Sequence, residues 1–228
     1  MPLSLHPSHS WNLTPQQAID LQRNLCRQVK IKPLPDGVRR VAGVDVGFRD
    51  GMGRAAVVVL DFPSLTVTEQ ALVEIKVEFP YIPGLLSFRE LPALLAAIEQ
   101  LTCLPDVFVV DGHGYAHPRR FGIASHLGVI LDVPSLGCAK SVLVGRYDQP
   151  GNEAGDQAEL RLEQEVIGMA VRTRRGCKPV FISIGHRVDL ESAVRLILAC
   201  TRTYKLPEPT RLAHRLASRK VEHPQSPI

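Results

Sequence analysis

Apolar residues along the chain gather in short runs separated by polar, proline- and glycine-rich breaks, and the form of each run predicts an element. Thr14-Pro15-Gln16-Gln17 supplies an N-cap hydroxyl, a proline at the first helical position and a glutamine at the third, which predicts a helix to about Val29. After the KPLPDG breaker come three β-like runs, Arg40 to Phe48, Ala55 to Asp61 and Thr66 to Val77. The connections RDGMGR and FPSL are short and turn-rich, so these runs are expected to form antiparallel hairpins, a meander.

Ser87 opens a second predicted helix through about Leu101, and Asp106 to Asp111 (DVFVVD) then reads as a short, wholly apolar strand bounded by acids. A helix near Arg120 to Ile130 leads to a strand near Val133 to Ala139. Alternating helices and buried strands of this kind indicate crossovers with parallel pairing. The segment Asp148 to Asp156 reads as an exposed loop, Val180 to Ile184 as another apolar strand, Asp189 to Cys200 as a helix, and Arg211 to Arg219 as a last helix after the LPEPT turn. The expected fold is α/β: one mixed sheet, antiparallel meander plus parallel strands, flanked by helices on both faces. Its first strand should lie centrally, between the meander and the next parallel strand.

Composition adds bounds. At 228 residues, with 45% hydrophobic and 22% charged, the chain suits one soluble domain over residues 1–228 with a substantial core. The final residues HPQSPI are expected to be flexible. No apolar run approaches the roughly 20 residues that span a bilayer, and MPLSLHPSHSWNLT lacks the regions of a secretion signal, so a cytoplasmic monomer is expected. Five cysteines, odd in number and widely spaced, read as reduced thiols rather than a zinc or disulfide framework. A net charge of +4, with basic clusters at Arg119-Arg120, Arg172 to Arg175 and Arg211 to Lys220, permits an anionic partner.

Several residues do not fit a purely structural reading. In PYIPGLLSFRE, Pro80 to Glu90, two prolines make a stiff loop that either plugs a gap with Tyr81 and Ile82 or presents them to a partner. Asp45 lies inside VAGVDVGF and Asp111 ends DVFVVD; a carboxylate on an inner strand is costly unless a cation or hydrogen bonds meet it. If the two strands are neighbours, the acids converge and suit a hard divalent cation with oxygen ligands, Mg²⁺ or Mn²⁺; otherwise each caps a turn. Glu90 has a rival reading, because Ser87 to Glu90 (SFRE) matches a capping box. Lys140 either neutralises phosphate charge or is a solvated strand end. Among the scattered histidines, His113 stands between Gly112 and Gly114, where the backbone can approach a ligand closely.

Taken together, VAGVDVGF, PYIPGLLSFRE, VVDGHGYAHPRRFGIASHLGV, DVPSLGCAK, FISIGHRVDLESA and YKLPEPTRLAH resemble endonuclease V, the deoxyinosine 3′ endonuclease family of nucleic-acid repair, in the same order from Val41 to His214. The resemblance implies a ribonuclease-H-like fold, which the strand ordering also suits. It implies metal-binding acids at Asp45, Glu90 and Asp111, a catalytic lysine at Lys140, and His214 completing the metal surroundings where other members have Asp or His. It further implies that Tyr81, Ile82 and Pro83 form a wedge inserted beside the lesion. Hypoxanthine would then enter a pocket matched by Gly84, Leu85, Gly112, Gly114 and Ile123. His117 and Arg119-Arg120 are candidate strand contacts.

The activity so implied is Mg²⁺-assisted hydrolysis of the second phosphodiester bond 3′ to the lesion, with Mn²⁺ as a substitute, on DNA containing deoxyinosine or other deaminated bases. Two alternatives stand beside it: an endoribonuclease for inosine in single-stranded RNA, and a module that binds distorted duplexes without cutting them.

Overall fold

A computed structural model describes residues 9–219; the expected flexibility of the final HPQSPI lies outside the described residues. The capping box at Thr14 is formed, with its hydroxyl accepting from Gln17 N and the Gln17 side chain accepting from Thr14 N. Helix α1 runs Pro15–Leu25 and continues into a 3-10 turn over Cys26–Gln28. The meander follows as β1 (Arg40–Arg49), β2 (Met52–Asp61) and β3 (Val67–Lys76). Next come α2 (Leu86–Ile98), β4 (Val107–Val110), α3 (Ile123–Leu131) and β5 (Ser135–Ala139).

The remaining elements are β6 (Gln157–Leu162), β7 (Glu165–Val171), β8 (Val180–His186), α4 (Leu190–Ala199) and α5 (Glu208–Ala217). All strands join one sheet in the order β3-β2-β1-β4-β5-β8-β7-β6. Strands β1, β4 and β5 pair in parallel and the other pairings are antiparallel. Strand β1 lies between the meander and β4, as the element order predicts.

Strand alternation sorts the core. Ala42, Val44, Phe108 and Val110 face α2 and α3, where they pack with Leu94, Ile98 and Leu127. Val41, Val107, Val109 and Leu136 face the opposite way, towards Val194 and Ile197 of α4. The central β4 and β5 are buried at every position, whereas the edge strands β3 and β6 are largely exposed, so apolar runs mark the centre and alternation marks the rim.

Three expectations need correction. The hairpin β6–β7 was not assigned from sequence, because its two-residue turn is Glu163-Gln164, without the usual asparagine or glycine, and Glu163 takes φ 56° unaided. Helix α5 starts at Glu208 rather than Arg211, since Pro209 sits in the first turn where no amide donor is needed. The Ser87 capping box does not form. Helix α2 begins at Leu86 with no side-chain cap, and the Ser87 hydroxyl bonds Nδ1 of buried His126 at 3.0 Å.

Candidate active site

On β1, Gly43, Asp45 and Gly47 share one face by strand alternation, and α5 lies directly on it. A Cβ built at Gly43 would stand 2.0 Å from the Pro209 carbonyl, and one at Gly47 3.5 Å from the Ala217 oxygen. The two glycines admit α5 to the strand backbone, and the carboxylate between them meets the helix. His214 Nδ1 donates to Asp45 Oδ2 across 2.9 Å. The spacing glycine, acid, glycine is therefore a packing pattern with a functional group at its centre.

The parallel β1–β4 ladder ends at Val44 opposite Val110, so the next residues, Asp45 and Asp111, stand side by side at the carboxyl ends of the two strands. Strand β5 continues the parallel set, and Lys140, one residue beyond it, makes an ion pair with Asp111 Oδ2. Glu90 enters from the second turn of α2. Its carboxyl pKa is pushed up to about 8, first by burial and then by the charges of Asp45 and Asp111. Burial also raises Asp45, against the lowering effect of the His214 hydrogen bond, and Asp111 adds to the rise. Three acids are thus crowded enough to feel one another, with His214 and Lys140 as partial counter-charges.

The arrangement has room in its chemistry for a hard divalent cation. Such an ion takes one or two carboxylates and keeps several waters, so the neighbouring Asp45 and Asp111 are a sufficient base for it. Among the described residues no three His, Cys, Asp or Glu side chains form a ready cage, while Glu90 stands close enough to Asp45 and Asp111 for both to raise its pKa.

Beside the acids lies a pocket of about 130 Å³. Tyr81, Ile82, Pro83 and Gly84 form one wall, and Gly112, His117 and Ile123 contribute others. Tyr81 is 69% exposed, so the stiff loop presents it rather than buries it. Leu85 N donates to Ile82 O at 2.9 Å, with Pro83 next and Gly84 at φ 80°, which matches a type II turn that only glycine closes comfortably. Gly112 leaves space that a Cβ would take from Ile123, at 2.8 Å.

Not every expected pocket residue lines it. Leu85 is buried with Ala18, Phe79 and Phe88, and Gly114 is needed for packing: its missing Cβ faces the Ile184 carbonyl of β8 at 2.0 Å. His117 is 3% exposed and both ring nitrogens are used, Nε2 donating to Gly84 O at 3.0 Å and Nδ1 accepting from Arg119 N at 3.1 Å. Burial, followed by the Arg119 charge, lowers its pKa to about 4 and keeps the ring neutral. The guanidinium groups expected to meet a nucleic-acid strand are engaged within the protein, Arg119 with Gln22 and Gly84, and Arg120 with Glu165.

Sequence reasoning missed Gln22, Ser87 and Leu143, which also line the pocket. Gln22 carried a signal, a polar side chain on the buried stripe of α1 between Ala18 and Leu25. Leu143 carried none.

The same construction recurs in known proteins. The family model described as endonuclease V matches residues 23–215. Endonuclease V of Gloeobacter violaceus is 56% identical over 225 residues, covering 96% of this chain and 92% of its own length. The crystal structure of endonuclease V from Streptomyces avermitilis superposes with a TM-score of 0.88 at 44% identity, over 94% of this chain and 96% of that one. Endonuclease V of Ciona intestinalis, solved with a 23mer DNA containing an inosine followed by a ribo-adenosine, gives 0.77 at 28% identity, over 90% and 97%. With acids on neighbouring strands, a presented proline-bound loop and a family match across both, the chain belongs to the endonuclease V family.

Proposed function

We propose that the chain recognises deoxyinosine in DNA and hydrolyses the second phosphodiester bond on its 3′ side, leaving a 3′-hydroxyl and a 5′-phosphate. The observation that carries this reading is the adjacency of Asp45 and Asp111, with Lys140 paired to Asp111, next to a pocket walled by the exposed Tyr81 loop. A relative bound to inosine-containing DNA supports it.

In this reading Tyr81, Ile82 and Pro83 separate the strands and occupy the place of the displaced nucleotide, while hypoxanthine enters the pocket beside Gly84, Gly112 and Ile123. Turning out a base costs a few kcal/mol, which a stiff apolar wedge and a fitted pocket offset. Asp45, Asp111 and Glu90 would hold Mg²⁺, or Mn²⁺ in its place, and the cation's charge would favour the ionised form of the Glu90 carboxyl. When bound there, the ion neutralises the scissile phosphate and lowers the pKa of a coordinated water. Lys140 neutralises the charge that develops on the phosphoryl oxygens, held in place by Asp111. His214 is kept in one orientation by Asp45. Attack by water places its OH on phosphorus and breaks the P–O3′ bond, and the proton the water gives up is balanced by one taken from solvent at O3′, which leaves as the hydroxyl.

Cleavage of a deoxyinosine oligonucleotide with and without Mg²⁺, mapping the cut, tests the reading. Asp45→Ala should bind the inosine strand and no longer cut it; undiminished cutting would remove Asp45 from the site. One observation favours a second substrate. The Ciona complex carries a ribonucleotide directly after the inosine, so a 2′-hydroxyl is compatible with that relative's site, and inosine in RNA is a substrate to compare on matched strands. The non-cutting reading has less support, since every acid and the lysine that hydrolysis would use remain in place.

A further inference from the structure

One carbonyl in the wedge loop is held more tightly than its neighbours. Gly84 O accepts from Gln22 Nε2 at 3.0 Å, from His117 Nε2 at 3.0 Å and from Arg119 Nη2 at 2.7 Å. A carbonyl oxygen has two lone pairs, so three convergent donors leave the Gly84 peptide little freedom to rotate. Gln22 is the centre of this cluster. It is 1% exposed, its Nε2 also donates to Phe121 O at 3.0 Å, and its Oε1 accepts from Arg119 Nε at 2.6 Å. With a guanidinium on one side and two carbonyls on the other, the amide has a single satisfying orientation.

The two carbonyls that Gln22 ties together belong to two separate segments that line the pocket or lead into its lining. Gly84 closes the turn that carries Tyr81, Ile82 and Pro83, and Phe121 immediately precedes Gly122 and Ile123, which line the pocket at the start of α3. Nothing else in α1 reaches both segments through one side chain among the bonds described. We infer that Gln22 is a positioning residue which, through Arg119 and Gly84, sets the wedge at a fixed height over the base pocket and thereby sets how well the protein opens paired DNA. This rests on the deoxyinosine reading above.

The physical reason is preorganisation. A wedge enters a duplex efficiently when its loop is already ordered, because ordering it during binding subtracts from the affinity. A strand without a complement has nothing to be separated, so its cleavage should depend far less on the clamp. That contrast distinguishes a positioning role from general support of the fold, which would affect both substrates alike.

The test uses one deoxyinosine oligonucleotide, alone and annealed to its complement, with Gln22→Met, which keeps the bulk and removes the hydrogen bonds, and Arg119→Lys, which keeps the charge and loses the paired contact. Whatever Gln22 contributes to the pocket on either substrate, the ratio of kcat/KM on the duplex to that on the single strand should fall about tenfold or more in both variants, chiefly through KM on the duplex. Equal losses on both substrates, or none on either, overturn the inference. A 2-aminopurine next to the inosine in the duplex reads the wedge without any cutting. Wild-type protein should brighten it and Gln22→Met should not; equal brightening by both overturns the clamp even if the strand is cut. If the wild type brightens the probe but cuts neither strand, the nuclease reading fails while the clamp stands.

Discussion

Gly43→Ala places the sharpest demand on the way this site is assembled. The added methyl would lie 2.0 Å from both the carbon and the oxygen of the Pro209 carbonyl and 2.6 Å from Thr210 N, all of them backbone atoms that cannot rotate aside. Restoring ordinary contact requires α5 to withdraw by about 1.4 Å, which would carry His214 from 2.9 Å to about 4 Å from Asp45, beyond hydrogen-bond range. Overpacking of this kind costs about 1–3 kcal/mol, more than the 0.5–1 kcal/mol that alanine otherwise gains over glycine in a strand. Gly47→Ala is the control. Its methyl would meet Ala217 O at 3.5 Å, an ordinary contact, so it should be neutral or stabilise by up to about 1 kcal/mol. Urea unfolding at neutral pH reads both, and a cleavage assay on a deoxyinosine strand reads the site. The expected result is a lower midpoint with unchanged slope and reduced cutting for Gly43→Ala, with Gly47→Ala near wild type. A Gly43→Ala protein as stable and as active as wild type would refute the packing argument.

Acid should loosen the pocket wall. His117 is held neutral with its pKa lowered from 6.5 to about 4, so between those values the unfolded chain binds the extra proton; this contribution is complete above pH 6.5 and falls by about 3 kcal/mol as the pH drops towards 4. Urea midpoints at pH 7.5 and 5 should differ less in His117→Gln than in wild type, and an equal difference would show that the ring is not the cause. Tyr81→Ala should weaken binding to an inosine-containing duplex about tenfold, the scale of one lost base stack, with little change in Tm; a large loss of Tm would mean that the ring packs inside after all. Lys140→Met removes the ammonium from a half-exposed ion pair, so stability should change by less than about 1 kcal/mol while cutting falls on the order of a hundredfold. Unchanged cutting rates would take Lys140 out of the chemistry.

What the amino-acid order determined by itself is local. The Thr14 box, the turn-linked meander, the wholly apolar β4 and β5 and the stiff Pro80 to Pro83 loop each declare themselves within a dozen residues, because caps, periodicity and proline geometry act over that range. The misplaced acids Asp45 and Asp111 were visible for the same reason, as charges inside apolar runs. Tertiary structure decided what those residues meet. Locally Glu90 matched a capping box, yet Ser87 went to His126 and Glu90 came to the acids, a choice set by where α2 docks. Gly114 looked like room for a ligand and proved to be room for β8, while Gly43 proved to be room for α5. Gln22 reaches Gly84 and Phe121 across separations of 62 and 99 residues, and His214 reaches Asp45 across 169. Contacts that distant depend on strand register and helix approach, which no short stretch of sequence contains.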